Sequence, residues 1–216
     1  MSKESDDIEP LLAQARHGDR KAIDDLFSRY RDRLLRMIRM RLDRRLQARI
    51  DSSDIVQEAL LDAARRLEEY LGDPRIPFFL WLRVLTGHKL LELHRHHLGL
   101  QCRDARREVK LYHGPFPATS TEALADQLLG QGTSPSQRAL RAERKVQLQE
   151  ALNAMAPLDR EVLVLRHFEH LTNSEAAHEM HIDPSAASKR YVRAMKKLRD
   201  ILREVQGTKS RGRLGT

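Results

Sequence analysis

Cysteine and long apolar runs are what this chain of 216 residues has least of. Its single cysteine, Cys102, excludes an internal disulfide and a thiolate-rich metal site, which favours a reducing compartment. No stretch approaches the roughly 18 uninterrupted apolar residues of a membrane span, and the polar start MSKESDDIEP is unlike a signal peptide. The sequence therefore predicts a cytoplasmic protein without membrane insertion.

Motifs of catalysis are missing as well. The chain has no glycine-rich phosphate loop, no paired His/Glu spacing of a metalloprotease and no serine elbow. We therefore expect neither enzymatic activity nor a cofactor.

Positive charge is in excess. The 39 Lys and Arg residues outnumber the 31 Asp and Glu residues, which gives a formal net charge of +8. Such an excess favours polyanionic partners, with nucleic acid ahead of a membrane surface.

Helical periodicity dominates the apolar pattern, and strand-like alternation is nowhere sustained. Apolar residues recur at intervals of three and four from Ala22 to Leu46, which predicts one long amphipathic helix. A second helix follows Asp51-Ser52-Ser53-Asp54, whose short polar side chains can cap it, and Gln57 has the spacing of a capping box with Asp54. A third helix begins near Pro77. The fold class that we expect is all-α.

Two small helical domains joined by a flexible linker are expected. Periodicity is lost over residues 99–135, where Gly and Pro interrupt the chain, and the linker is predicted there. The helical domains then span residues 8–98 and 136–205, and residues 206–216 form a flexible basic tail.

Two helix starts lie only eleven residues apart in the carboxy-terminal domain. Thr172 and Glu175 have the spacing of a capping box, and Asp183 followed by Pro184 starts the next helix. This pattern predicts a helix-turn-helix, whose second helix enters the major groove of DNA. The residues expected to contact bases or phosphates are Ser185, Ser188, Lys189, Arg190, Arg193 and Lys196. A cationic face that is merely solvated is the alternative.

Two separate segments resemble the extracytoplasmic-function (ECF) sigma factors of bacterial RNA polymerase, which belong to the sigma-70 family. The segment LDREVLVLRHF, which starts at Leu158, and the helix-turn-helix after it are similar to region four of that family. The segments DIVQEA, from Asp54, and FLWL, from Phe79, resemble parts of region two. The two matches occur in the family's order with a linker between them.

The resemblance implies a set of partners. Core RNA polymerase would bind the helix that carries Asp54, Gln57 and Glu58. Promoter DNA would be bound at its minus-thirty-five element by the helix-turn-helix. An anti-sigma factor or another regulator is a further expected partner.

The resemblance implies that the minus-ten element of the promoter is bound by the loop from Tyr70 to Pro77 and by the helix that follows it. The resemblance places Trp81, Lys89 and Arg95 at this element. Opening a duplex costs a few kcal/mol of unstacking energy, which aromatic and cationic side chains can offset by holding the separated strand. For Trp81 itself, a core anchor between the helices is favoured over direct stacking on a base.

A metal site is a second alternative in the same segment. His94 and His97 are three residues apart and Cys102 is near, but a fourth ligand with suitable spacing is missing. A partly charged surface that faces phosphates is the competing interpretation, and no metal is expected.

The chain departs from the family pattern at two informative places. Gly87-His88 stands where the family usually has an Arg-Asn pair, which puts promoter-melting contacts there in doubt. His181 occupies a turn position usually held by Gly, where a left-handed backbone conformation is expected.

Three functions are compatible with these features. The first is a sigma factor that directs promoter recognition, promoter opening and transcription initiation. The second is a free-standing helix-turn-helix transcriptional regulator that is not a polymerase subunit. The third is a helical adaptor whose charge only solvates it, and it predicts weak salt dependence of any polyanion contact.

Overall fold

The computed structural model describes residues 8–98, 120–129 and 135–211. Within these ranges every regular element is a helix, so the predicted all-α class is confirmed. The chain divides into two compact units, Met1–Pro117 and Ala118–Thr216, which we call the amino-terminal and carboxy-terminal units. Among the described helices, none combines the length and apolar character needed to span a bilayer.

The amino-terminal unit is a bundle built on three long helices. Its elements are α1 (Glu9–Arg16), α2 (Arg20–Arg41), α3 (Arg44–Gln47), α4 (Ser52–Gly72) and α5 (Phe78–Leu98). Helix α4 packs on α2 and α5, and α1 packs on α2. Fully buried side chains such as Leu26, Leu34, Val56 and Leu80 come from all three long helices and form one core.

The predicted helix from Ala22 to Leu46 is wrong in its last turn. Helix α2 ends at Arg41, and the Asp43 carboxylate caps α3 by accepting a hydrogen bond from the Arg45 amide at 2.9 Å. Leu42 and Leu46 are nevertheless buried. Because the spacing of buried residues continues through the break, apolar periodicity could not reveal it.

The predicted start of α4 at residues 51–54 is confirmed, but the capping-box position at Asp54 is wrong. Asp51, and not Asp54, is the N-cap residue, because its carboxylate accepts a hydrogen bond from the Ser53 amide at 2.7 Å. Asp54 lies in the first turn, where a negative charge is favourable beside the positive end of the helix dipole. Its carboxylate is thereby left exposed on the helix surface.

Helix α5 begins directly after Pro77, as predicted, and continues through Gly87. The Tyr70 hydroxyl donates a hydrogen bond to the Ile76 carbonyl at 2.9 Å, which ties the end of α4 to the loop before α5. The loop with its two prolines is therefore held against the bundle.

The carboxy-terminal unit is arranged around its last helix. Its elements are α6 (Thr121–Leu129), α7 (Pro135–Asn153), α8 (Pro157–Leu163), α9 (Asn173–Glu179) and α10 (Pro184–Arg211). A single π-helical turn, Val164–Phe168, continues α8. Helix α10 packs against α7, α8 and α9 and is the element that they share.

Part of the predicted linker and part of the predicted tail are helical. Helix α6 lies in the linker segment and pairs with α7, where Lys145 Nζ lies 2.9 Å from a Glu122 carboxylate oxygen and 2.6 Å from one of Asp126. Helix α10 continues to Arg211, inside the segment predicted as a tail. Residues 99–119, 130–134 and 212–216 lie outside the described ranges.

Candidate functional site

The turn between α9 and α10 is held by hydrogen bonds at both helix starts. At α9 the predicted capping box is confirmed: Thr172 N donates to Glu175 Oε2 at 2.7 Å, and Glu175 N donates to Thr172 Oγ1 at 3.2 Å. The Asn173 side chain donates to the Pro184 carbonyl at 2.7 Å and so joins the starts of the two helices. The predicted helix-turn-helix is therefore present as a braced pair.

Asp183 caps α10, as predicted. One carboxylate oxygen, Oδ1, accepts hydrogen bonds from the Ser185 hydroxyl at 2.7 Å, the Ser185 amide at 3.0 Å and the Ala186 amide at 3.1 Å. The hydroxyl bond is the largest of the causes that lower the pKa of Asp183 below its ordinary value. Because the Ser185 hydroxyl donates its hydrogen to Asp183, its oxygen remains available as an acceptor.

The outward face of α10 lies opposite a buried stripe. Ala187, Ala194, Leu198 and Ile201 are buried and hold the helix on the unit. Among residues 185–197, the exposed ones are Ser185, Ser188, Lys189, Val192, Arg193, Lys196 and Lys197. Five of the six residues predicted from the sequence as DNA contacts are in this exposed set.

Arg190, the sixth predicted contact, has a protein partner. Its Nη1 donates to Asp159 Oδ1 at 2.9 Å, and only 26% of its side chain is exposed. Arg193 Nη2 lies 3.7 Å from the same oxygen, but 65% of the Arg193 side chain is exposed. Arg190 therefore differs from Arg193 in being mostly covered and hydrogen-bonded within the protein.

Two arginines of the LDREVLVLRHF segment have structural roles, because both donate hydrogen bonds to backbone carbonyls. Arg160 Nη1 donates to the carbonyls of Leu152, Asn153 and Met155 at 2.8, 3.1 and 3.2 Å, which satisfies the carboxyl end of α7. Arg166 Nη1 donates to the Leu171 carbonyl at 2.8 Å and so ties the π turn to the start of the helix-turn-helix. Sequence reasoning did not assign these roles, because each bond joins elements whose contact only the fold creates.

In the amino-terminal unit, the three residues predicted to bind polymerase share one exposed face. Asp54, Gln57 and Glu58 are exposed on α4 opposite the buried Ile55, Val56 and Ala59. Their spacing of three and four residues places them next to one another on the helix surface. Leu61, one turn further on, is 55% exposed and adds an apolar side chain that the sequence reading missed.

Lys89 and Glu58, predicted to contact different partners, form an ion pair with each other. Lys89 Nζ lies 2.9 Å from Glu58 Oε2 and 3.6 Å from Glu92 Oε2, and its side chain is 24% exposed. The hydrogen bond from Lys89 to Glu58 is the largest cause that raises the pKa of Lys89. The pair joins the exposed faces of α4 and α5.

Trp81 lies in the core of the amino-terminal unit. It is 6% exposed, with its ring centroid 4.6 Å from that of Tyr70 and 5.6 Å from that of Phe78. This environment favours the core anchor over stacking on a base. Arg95, near the end of α5, is exposed, as a phosphate contact requires.

The two histidines considered as metal ligands, His94 and His97, lie in different environments near the end of α5. His94 is buried, and its Nε2 accepts a hydrogen bond from the Asp43 amide at 3.2 Å. Burial lowers the pKa of His94, which favours the neutral form that can accept this bond. His97 is exposed, and Cys102 lies outside the described residues. Within the described ranges, no group of three His, Cys, Asp or Glu side chains is placed to hold a metal ion.

The carboxy-terminal unit matches a known domain family. The profile described as "Sigma-70, region 4" matches residues 145–198, which run from α7 into α10. This segment contains the braced helix pair and most of the outward face of α10.

Curated relatives match almost the whole chain. The ECF RNA polymerase sigma factor SigD of Mycobacterium tuberculosis is 25% identical over 200 residues, which are 93% of this chain and 86% of SigD. The ECF RNA polymerase sigma factor ShbA of Streptomyces griseus is 28% identical over 198 residues, which are 90% of this chain and 94% of ShbA.

A solved structure shares the fold. It is described as CnrH in complex with the cytosolic domain of CnrY, and it superposes with a TM-score of 0.50 at 22% identity over 89% of this chain and 94% of that chain. Identity at this level supports the fold alone.

Two helical units, one of which carries a braced helix-turn-helix with an exposed cationic face, define a DNA-binding transcription protein. The region-four match and the near full-length relatives narrow this class. The chain is similar to ECF RNA polymerase sigma factors over almost its whole length, and over residues 145–198 to region 4 of the sigma-70 family.

Proposed function

We propose that this protein binds core RNA polymerase and directs promoter recognition, promoter opening and transcription initiation. The observation that carries the proposal is the exposed cationic face of α10, which lies in the segment similar to "Sigma-70, region 4". The near full-length similarity to proteins named RNA polymerase sigma factors supports it over a free-standing regulator. Catalysis belongs to the polymerase, and the cytoplasm is the expected location because the polymerase is there.

The polymerase-binding surface that we propose is the α4 face of Asp54, Gln57 and Glu58. All three are exposed, and the buried side of α4 is fully engaged in the core. A helix held rigidly in this way presents its polar side chains to a partner at little further cost in conformational entropy.

The DNA surface that we propose has two parts. Ser185, Ser188 and Lys189 start the recognition helix and read base edges, while Arg193 and Lys196 contact phosphates at the minus-thirty-five element. At the minus-ten element the exposed Arg95 contacts the backbone, and Lys89 does so when its pair with Glu58 opens. Trp81 supports this helix from the core.

A regulatory partner is also proposed. CnrH, which shares the fold, has been solved with the cytosolic domain of CnrY. We propose that this chain also binds a regulator, which is an anti-sigma factor or another protein.

The direct test is reconstitution of transcription. The purified chain is added to bacterial core polymerase, and transcript starts are mapped on genomic fragments. New starts that share upstream sequence elements are expected, and core polymerase alone is the control. A free-standing regulator would alter transcription only when another sigma factor is present, so the absence of new starts overturns the proposal.

Substitutions on α4 test the polymerase surface. Gln57→Ala keeps the pair of Glu58 with Lys89, whereas Glu58→Ala removes it, so the two variants separate a direct contact from an indirect effect. Each is expected to weaken binding to core polymerase by at least about fivefold, since truncating an important interface residue costs about 1 kcal/mol or more.

Glu69→Ala is the matched control, because it removes one exposed charge from the same helix about three turns away. Helical content should be unchanged in all three variants, since alanine suits a helix. The measurement is co-purification with core polymerase beside circular dichroism. Equal binding by Gln57→Ala, Glu58→Ala and the parent contradicts the assignment of this face.

A further inference from the structure

Asp159 connects the LDREVLVLRHF segment to the recognition helix α10. It lies in the first turn of α8, and its side chain is only 10% exposed. The carboxylate accepts the 2.9 Å hydrogen bond from Arg190, thirty-one residues later, and its Oδ1 is 3.7 Å from Arg193 Nη2. One largely buried carboxylate therefore faces two arginines on adjacent turns of α10.

The two arginines are held to different degrees. Arg190 makes the short bond and is mostly covered, so its guanidinium is directed at the protein. Arg193 is near the outer limit of an ion pair and largely exposed, so it can contact a phosphate. Lys189 and Lys196, by comparison, have no carboxylate within ion-pair distance in the described part of the chain.

An arginine on a recognition helix has consequences for specificity. A guanidinium that reaches a phosphate strengthens binding to every sequence, because phosphates carry no sequence information. When Arg190 is bound to Asp159, the helix makes one phosphate contact fewer. The exposed residues Ser185, Ser188 and Lys189 then contribute a larger share of the binding by reading bases. A partly buried carboxylate of opposite charge is the device that can hold it.

We propose that Asp159 is a positioning residue for promoter recognition, which keeps Arg190 away from the DNA while Arg193 stays exposed on the outward face. This inference rests on the proposed function, since it assumes that α10 binds the minus-thirty-five element. In this proposal Arg190 binds Asp159 and not DNA, so it no longer belongs to the DNA contacts predicted from the sequence.

The test measures how the affinity of the reconstituted holoenzyme for DNA depends on salt. Promoter fragments and unrelated fragments of equal length are used, with the parent chain and the variants Arg190→Gln, Asp159→Asn and Asp159→Asn/Arg190→Gln. Glu150→Gln is the control, because it removes the same charge from an exposed site on α7.

For Arg190→Gln we expect an unchanged salt slope, since the side chain makes no phosphate contact. For Asp159→Asn we expect a slope steeper by about one unit and tighter binding to unrelated DNA, since Arg190 is released. The double variant should return to the parent slope, and Glu150→Gln should keep it. A merely structural role for Asp159 predicts weaker binding without a steeper slope.

Two results would overturn the inference while leaving the proposed function intact. One is a slope for Arg190→Gln that is shallower by about one unit, which places Arg190 on a phosphate. The other is a slope for Asp159→Asn equal to or shallower than that of the parent. Failure of the parent holoenzyme to prefer promoter fragments would instead contradict the proposed function. Because Arg190→Gln leaves the buried carboxylate in place with Arg193 nearby, it decides the matter even where Asp159→Asn does not fold.

Discussion

His181 makes the turn between α9 and α10 with a φ of 53°, in the left-handed region. A side chain with a β-carbon is disfavoured there by contact with the following carbonyl, and glycine has no such contact. The residue is one of two non-glycine positions with positive φ in the described chain, the other being His170. The expectation that His181 adopts this conformation is confirmed.

Substitution at position 181 should show this backbone strain. We expect His181→Gly to be more stable than His181→Ala by about 1 kcal/mol, because both remove the imidazole and only glycine relieves the strain. The comparison cancels whatever the imidazole itself contributes. Urea unfolding of both variants followed by circular dichroism measures the difference, and equal midpoints would show that the turn is not strained.

At the scale of the element, α10 combines a buried stripe with an outward face whose position along the helix predicts its role. Ser185, Ser188 and Lys189 lie in its first two turns, and Lys196 follows about two turns after Lys189. The amino-terminal part of a recognition helix meets base edges, and the later part lies nearer the phosphates. Two lysines on one exposed face should therefore have different effects on DNA binding.

Lys189→Ala should cost about 1 to 3 kcal/mol at particular base pairs of the minus-thirty-five element and relax the preference there. Lys196→Ala should weaken binding to all sequences about equally and reduce the salt slope by about one unit. The measurement is holoenzyme binding to a library randomised across that element at two or more salt concentrations. An unaltered sequence preference for Lys189→Ala would contradict base reading by this helix.

At the scale of the whole molecule, the chain forms two compact units, and the boundary between them in the sequence falls after Pro117. Each has its own buried core, with Leu26, Leu34 and Leu80 in one and Leu124, Leu148 and Leu163 in the other. Helix α6 belongs to the second unit, where it pairs with α7. Each unit therefore contains the packing contacts that a small domain needs to fold alone.

Separate expression of Met1–Pro117 and Ala118–Thr216 should give two helical fragments that each unfold cooperatively. The amino-terminal fragment should bind core polymerase and lose that binding on Gln57→Ala, because the α4 face is complete within it. Thermal unfolding by circular dichroism and co-purification with core polymerase are the measurements. The control is a shorter carboxy-terminal fragment that starts at Ser136 and so lacks α6. It should be less stable than Ala118–Thr216, because the contacts of Lys145 with Glu122 and Asp126 are lost. A non-cooperative transition in either complete fragment would contradict independent folding.

The sequence by itself determined the features that depend on neighbours along the chain. Apolar spacing gives the long helices, the spacing of Thr172 and Glu175 gives the capping box, and Asp183 with Pro184 gives the start of α10. These signals act within one or two turns, so they survive in any tertiary setting. Signals of this range also account for the two wrong predictions. They do not distinguish Asp51 from Asp54 as the cap of α4, and they do not reveal the break after Arg41.

Tertiary structure alone decided which polar side chains are available for binding. Arg190 and Lys189 are adjacent in the sequence and both are cationic, yet the distant Asp159 holds Arg190 while Lys189 stays exposed. For Trp81 the sequence favoured a core anchor, and the structure supplies the neighbours that surround it, Tyr70 and Phe78. The physical reason is that charge and apolar surface are properties of a residue, whereas burial and pairing are properties of its neighbours in space.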